Sequence, residues 1–367
     1  MKLRCATVLA LALLAVRTAA AQTQAPPDKN IGFTLDGLLR QEWTRDILDP
    51  APALTTQDQK RTRGRLRPRL ELGGETFRLG VGGDFNYSSD KNDEPPPALI
   101  RDNYRSRDAR LDLAFARIRP MHWLRLEGGR FEMPLAFTEM IWDRDLRPQG
   151  AAAALELRDV GTTLQQVNLT VLGARGSHVF EDDKTNMVVI AAEGVFSSGQ
   201  SSRLHLMGAY LKFTGLRELE PKIRRQNTRV AGVILGDYRV VDLVGRYGWN
   251  GKLPVQLVAD YCWNTAADQL NHGLWLATVI GSLQTTRLRG EYTYAKVDRD
   301  ATVAAYGTDD FFWTTGWEGH RVDLGRRASR KASVHAIGQL QKFKDSARPE
   351  ERDRWVKRLR LETRVSF

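Results

Sequence analysis

The feature that most constrains this chain is the alternation of its last segment, Trp355 to Phe367, which ends on an aromatic residue. One parity holds Leu359, Leu361, Thr363 and Val365; the other holds Arg358, Arg360, Glu362, Arg364 and Ser366. Successive side chains of a strand point to opposite faces, so such a strand is apolar on one face and charged on the other. The pattern recurs. Leu66, Leu70 and Leu72 oppose Arg65, Arg67, Arg69 and Glu71, and Leu288, Tyr292 and Tyr294 oppose Arg287, Arg289 and Glu291. In the same way Leu111, Leu113 and Phe115 oppose Arg110 and Asp112, and Val255, Leu257, Tyr261 and Trp263 oppose Gln256 and Asp260.

The start of the chain decides which solvent meets the apolar face. Lys2 and Arg4 precede an apolar run from Ala6 to Val16, and Ala19-Ala20-Ala21 offers small residues for cleavage before Gln22. That is the layout of a secretory signal, residues 1–21. Cys5 lies ahead of the apolar run, so the exported chain keeps only Cys262 and forms no internal disulfide. With Lys2, Arg4 and Arg17 removed, the net charge falls from +11 to +8. Mean hydropathy is −0.42 and 27% of residues are charged, which hydropathy alone would read as soluble. A membrane barrel defeats that reading because only every second residue meets lipid. The basic balance could suit nucleic acid, but an exported chain argues against a nucleic-acid partner. The expectation is therefore an all-β, transmembrane antiparallel barrel of the Gram-negative outer membrane, surrounded by lipid and lipopolysaccharide.

Residues 22–30 are polar and read as a short periplasmic lead, and 31–367 as one barrel domain. Seventeen candidate strands are visible. Closure with both termini in the periplasm needs an even number, and the weakest break lies at Gly236-Asp237, where 229–235 either joins an outer loop or merges with 239–248. Sixteen strands is the expectation, with fourteen and eighteen as alternatives. Gly73-Gly74-Glu75, Asn250-Gly251 and Ser282–Gln284 are tight turns, whereas 46–62, 89–104, 132–149, 214–228 and 298–317 are long loops. Trp43, Tyr104, Trp123, Trp249, Trp263, Trp275 and Trp355 fall near strand ends, where interfacial girdles sit. Each could equally pack in a core.

Three stretches resemble the bacterial putative porin family, related in architecture to the phosphate-selective porins. They are Gly129 to Leu135 (GRFEMPL), Trp142 to Gly150 (WDRDLRPQG) and Asp300 to Phe311 (DATVAAYGTDDF). In the last, Gly307-Thr308-Asp309 departs from the family's form. The resemblance implies a passive outer-membrane channel for small hydrophilic solutes or anions, a homotrimer, and a terminal Phe367 read by the barrel-assembly machinery.

In porins the third outer loop commonly folds inward, and 132–149 occupies that position. Its Glu132, Glu139, Asp143 and Asp145, with Arg144 and Arg147, would face wall arginines: Arg65, Arg67, Arg69, Arg110, Arg130, Arg287, Arg289, Arg358, Arg360 and Arg364. The expectation is a transverse field across a constriction, with mild anion preference. The plainer alternatives are arginines that only solvate the lumen beside Glu71, Asp112, Glu291 and Glu362, and acidic residues that fix loop conformation. No G-x-S-x-G, H-E-x-x-H or phosphate-binding loop is present. The histidines (His122, His178, His205, His272, His320, His335) lack metal-ligand spacing, so no enzyme, metal or cofactor is expected. Ser177–His178 and a surface cation at Asp309-Asp310 are minor readings. The rival functional reading is a plugged adhesion or structural barrel with partner-binding loops. The rival fold is a soluble secreted β-protein.

Overall fold

A computed structural model describes residues 31–48, 56–89, 106–175, 184–199, 201–219, 223, 227–234, 236–308, 310–311, 314–344 and 354–367. The signal, the lead, Tyr104, Ser177, His178 and Asp309 lie outside the described residues. Sixteen strands follow one another: β1 (Ile31–Leu48), β2 (Thr56–Gly73), β3 (Phe77–Ser88), β4 (Asp108–Met121), β5 (Leu124–Arg130), β6 (Gln149–Arg158), β7 (Leu164–Arg175) and β8 (Asn186–Ser198) form the first half. The second half is β9 (Ser202–Thr214), β10 (Tyr238–Trp249), β11 (Val255–Asn264), β12 (His272–Ser282), β13 (Leu288–Val297), β14 (Trp317–Arg327), β15 (Ala332–Phe343) and β16 (Trp355–Ser366). Each pairs antiparallel with its neighbours, and β1 pairs with β16 to close the barrel. Closure removes every sheet edge, which a bilayer demands because lipid offers no hydrogen bonds to a free edge.

The alternation places side chains as the sequence implies over most of the wall. On β16, Leu359 and Leu361 are 49% and 46% exposed, while Arg358, Arg360 and Glu362 are buried inside. Slipping a strand by one residue would turn such arginines toward lipid, at about 2–4 kcal/mol each near the midplane, so register is strongly fixed. The short connections, 74–76, 122–123, 159–163, 199–201, 250–254, 283–287 and 328–331, all lie at one end of the barrel. Phe367 lies there too: its N–H donates to Leu35 O at 3.0 Å, its carbonyl accepts from Leu35 N at 3.1 Å, and Lys331 sits 4.7 Å over its ring. Among the described residues, loops 131–148, 265–271 and 298–316 lie at the other end. The candidate strand 229–235 is absent as a strand; an isolated bridge, Val230 to Val233, lies within the loop between β9 and β10.

Two expectations about facing fail. The β3–β4 ladder shifts register at Gly82/Gly83, and beyond this bulge Asp112 and Leu113 both turn inward. Leu113 and Phe115 are therefore lumenal, 3% and 5% exposed, and only Leu111 of that trio meets lipid, at 54%. Gly80 is required opposite them, because a Cβ there would overlap the Phe115 ring. Trp275, expected in an interfacial girdle, is also inward and 3% exposed, edge-on to Phe311.

Candidate functional site

The interior is shaped by two loops that between them carry most of the three family-like stretches. Loop 131–148, between β5 and β6, is pinched at its base by Phe131 N donating to Pro148 O at 3.1 Å. Inside it, Asp143 accepts from Asp145 N at 2.7 Å and Leu146 N donates to Asp143 O at 3.1 Å. Asp143 thus sets a turn by bonding its own backbone, the conformational role weighed above. The turn aims Asp145 at β2, where Arg65 lies at 2.6 Å and Arg63 and Arg67 each at 3.4 Å. Trp142 donates through Nε1 to Leu146 O at 3.3 Å, and Gly150 lets β6 approach β7, because a Cβ would overlap the Gly173 carbonyl.

Loop 298–316, between β13 and β14, reaches inward to meet it. Tyr306 stacks on Trp142 with ring centroids 5.4 Å apart, and on Phe213 of β9 at 5.5 Å. Tyr306 O accepts from Asp143 N at 2.8 Å, and Thr308 N donates to Glu139 O at 2.8 Å. Asp300 anchors the loop's start by accepting from Tyr238 and from the Thr228 amide at 2.9 Å. Asn227 donates to Arg299 O and Thr302 O and accepts from Ala304 N, at 2.8, 2.9 and 2.7 Å. Asn227 carried no signal in the sequence; a lone polar residue in a long loop looks like any other. Asp310, weighed above as a surface cation ligand, instead points inward. Arg360, Arg40 and Arg321 lie 2.7, 3.3 and 3.8 Å from it.

The charged wall is a paired lattice. Glu42, 1% exposed, lies 2.8 Å from Arg61, 2.5 Å from Arg360 and 3.5 Å from Arg358. Asp84 takes both nitrogens of the Arg65 fork at 2.9 Å and Arg110 at 2.8 Å. Arg321 reaches Glu139 at 2.9 Å and Glu291 at 3.3 Å. Two-pronged arginine–carboxylate contacts of this kind fix geometry as well as charge. Burial by itself would raise the Asp145 carboxyl, but Arg65 and Arg63 prevail and hold it well below the usual carboxylate range. Asp310 is likewise held far down, burial being overcome by Arg360, Arg40 and Arg321.

Of the expected wall arginines, Arg65, Arg67, Arg289, Arg360 and Arg364 line a cavity of about 620 Å³ that runs from the two loops toward the turn end. Arg358 is buried behind it against Glu42. Arg69 pairs with Glu71 at 2.5 Å and Glu132 at 3.2 Å, and Arg130 donates to Asp112 O at 3.0 Å. Arg287 is not a wall residue: it sits exposed in the turn before β13, with φ 62°. Glu139, Asp143, Arg144 and Asp145 line the loop side of the cavity, and Arg144 pairs with Glu139 at 3.6 Å. The acidic loop groups and the basic wall are therefore in direct contact, where the sequence suggested charges facing each other across a gap.

Residues missed by the sequence reading include Arg40, Glu42, Arg61, Arg63, Asp84 and Arg321, each at an inward parity of β1, β2, β3 or β14. Extending the alternation one turn further along those strands would have found them. A hydrogen-bonded row also lines the cavity: Asp323 to His335 Nδ1 at 2.8 Å, and His335 Nε2 to Ser333 at 3.1 Å. Local motif searches cannot see it, because Asp323 is on β14 and the other two are on β15.

Opposite the charged wall the interior is filled. Leu172, Met187, Val189, Leu211, Phe213, Val240, Cys262, Ala295 and Val297, all inward on β7–β13, pack against Met140, Ile141 and Trp142 of one loop and Val303, Ala305 and Tyr306 of the other. Thr138 donates to Asp260 of β11 and ties the first loop to this side.

Comparison with known proteins agrees with this architecture. Residues 33–200 match the family described as Putative porin. OprB of Pseudomonas putida is similar at 11% identity, covering 93% of this chain and 95% of its own, with a TM-score of 0.63. OmpF of Salmonella typhi, solved with daunomycin, is similar at 10% identity, covering 92% and 97%, with a TM-score of 0.53. No curated protein matches the sequence. The first half of the barrel carries the sequence pattern of the putative porin family, and the whole chain carries the porin fold.

Proposed function

We propose that the protein is an outer-membrane porin whose passage for small hydrophilic solutes runs along the arginine wall of β1, β2 and β13–β16 and favours anions. The observation that carries this reading is the composition of the 620 Å³ cavity, lined by 12 arginine or lysine side chains and 8 carboxylates. In a low-dielectric barrel a surplus of fixed positive charge lowers the cost of an anion's entry and raises that of a cation. Loop 131–148 acts as the constriction, with loop 298–316 as its second jaw. Glu139, Asp145 and Asp310 hold the arginines in place at the narrowest level and temper their charge. Solutes are then small, and bear one or two negative groups that an arginine fork can pass along.

The reading is tested by single-channel recording in a planar bilayer under a potassium chloride gradient. A conducting step with a reversal potential toward the chloride value is expected. Clear cation selectivity would overturn the anion preference. A second reading, a plugged barrel whose outer loops bind a partner, is favoured by one observation: the two loops grip each other and both walls. Absence of any conducting step from correctly inserted protein would select it.

A further inference from the structure

We propose that Ser333, His335 and Asp323 form a nucleophilic site that cleaves esters of small anionic acids entering the cavity from its turn end. Asp323 Oδ1 lies 2.8 Å from His335 Nδ1, and His335 Nε2 lies 3.1 Å from Ser333 Oγ. The carboxylate fixes the direction of both bonds. As an acceptor only, Asp323 requires the hydrogen on Nδ1, which leaves Nε2 of the neutral ring to accept from the Ser333 hydroxyl. That is the polarity a general base needs to draw a proton from a serine. Arg364 and Arg289 lie 3.7 and 3.9 Å from Asp323 Oδ2 and brace the carboxylate from its other side. Gly325, the register partner of His335 on β14, makes room for the ring, because a Cβ there would overlap Cε1 and Nδ1. A brace between β14 and β15 would be complete with Asp323 and His335 alone. It does not account for the third member, a hydroxyl on the far nitrogen that is part-open to the cavity while its base is buried.

The surroundings suit the charge that such a reaction develops. Ser333 lies directly opposite Arg327 on one ladder and Arg364 on the other, and both line the cavity. Residues so placed bring their Cβ atoms to about 5 Å. Glu362 holds Arg364 through Nε and Nη2 at 2.9 and 2.6 Å, and Gln284 O accepts from Arg327 at 2.8 Å. The two guanidinium groups are thus positioned before a substrate arrives, as stabilisation of an oxyanion requires. Arg330 and Lys331 carry the positive surface on to the mouth and draw in a substrate with a negative group of its own. Ser333 Oγ bonds to the acyl carbon as its proton passes to His335 Nε2. The ester C–O bond then breaks, and the alcohol leaves with that proton. Water repeats the exchange, releasing the acid and restoring Ser333. The site needs only that the cavity admits solute, whatever the passage selects.

Treatment of the full barrel in detergent micelles with a fluorophosphonate, followed by peptide mass spectrometry, tests this. Ser333 Oγ is expected to displace fluoride and keep the phosphonyl group, and Ser333→Ala to carry no adduct there. His335→Asn should slow labelling by about a hundredfold. Asp323 is a positioning residue. Asp323→Asn keeps its shape but favours the hydrogen on Nε2, and should slow labelling by about tenfold or more, with partial recovery in Asp323→Glu. One measurement needs no variant: wild-type hydrolysis of 4-nitrophenyl acetate should fall in proportion to the fraction of Ser333 labelled. Anionic mono-4-nitrophenyl adipate should be cleaved faster than its methyl ester, and equal rates overturn the substrate class. Absence of an adduct on Ser333, equal labelling in His335→Asn, or hydrolysis that survives full labelling overturns the proposal. A conducting channel without an adduct would leave the passage standing and remove only the chemistry.

Discussion

Along β1, β2 and β16 most inward residues are charged and pair with carboxylates or arginines of neighbouring strands, whereas the loop halves of β7–β13 turn apolar residues inward and pack them on the two inserted loops. The outer faces of these two regions are alike: Leu66 and Leu361 on one side and Val171 and Ile190 on the other are all exposed to lipid. An apolar parity therefore says that a strand spans the membrane. Only the opposite parity says whether its inner side is kept open by charge or filled. Apolar inward faces give the loops a surface on which to bury rings such as Tyr306, while arginine faces cannot collapse without stranding charge.

The sharpest way to break this comparison is at Glu42, which three buried arginines surround. Glu42→Gln takes away the buried carboxylate that these three arginines share and is expected to cost about 3–5 kcal/mol, read as a lower temperature for loss of the compact band in heat-modified electrophoresis. If that band is unmoved, the lattice does not carry the wall. On the filled side, Leu211→Ala removes a fully buried side chain and is expected to cost about 2–5 kcal/mol. It should leave the reversal potential unchanged, and a shifted potential would mean that the two sides are not separate.

Thr138→Val tests the seam between them. It deprives buried Asp260 of its hydroxyl donor, at about 1–3 kcal/mol, and should raise open-channel noise as loop 131–148 loses a tether. Acid provides the smallest effect in the working range. Asp145 and Asp310 have folded pKa values below the unfolded value of about 3.9. Their stabilisation is therefore complete above that value and is lost as pH falls through it toward the folded values. Heat-modification temperature should be flat between about pH 8 and about pH 5 and fall only in stronger acid. A drop already at pH 6 would show that other groups hold the loops.

Much of this barrel was legible because lipid enforces a strict rule on one parity. Strand count, closure and the even turns at the Phe367 end follow from it. The rule is silent on the inner face, so the bulge that turns Leu113 inward and the burial of Trp275 escaped it. One signal was available: Met187 to Ala192 is apolar without interruption, as expected for a strand covered on both faces. The loop contacts lay further out of reach. Asp145 could be ranked as a constriction residue from its position, but its three arginine partners on β2 depend on the turn that Asp143 sets. Asp310 looked like a solvated surface carboxylate until the loop's inward course brought it to Arg360.

The grip of Trp142 on Tyr306 has a consequence for how such a passage can change over generations. Each jaw is anchored to the wall, yet each also supplies part of the other's backing. An insertion in one segment would take away part of the second's support, and a smaller aromatic in one would call for a larger one in its mate. Aperture width is then inherited as a matched set, and new permeant preferences should arise by paired replacement in two distant stretches of the gene.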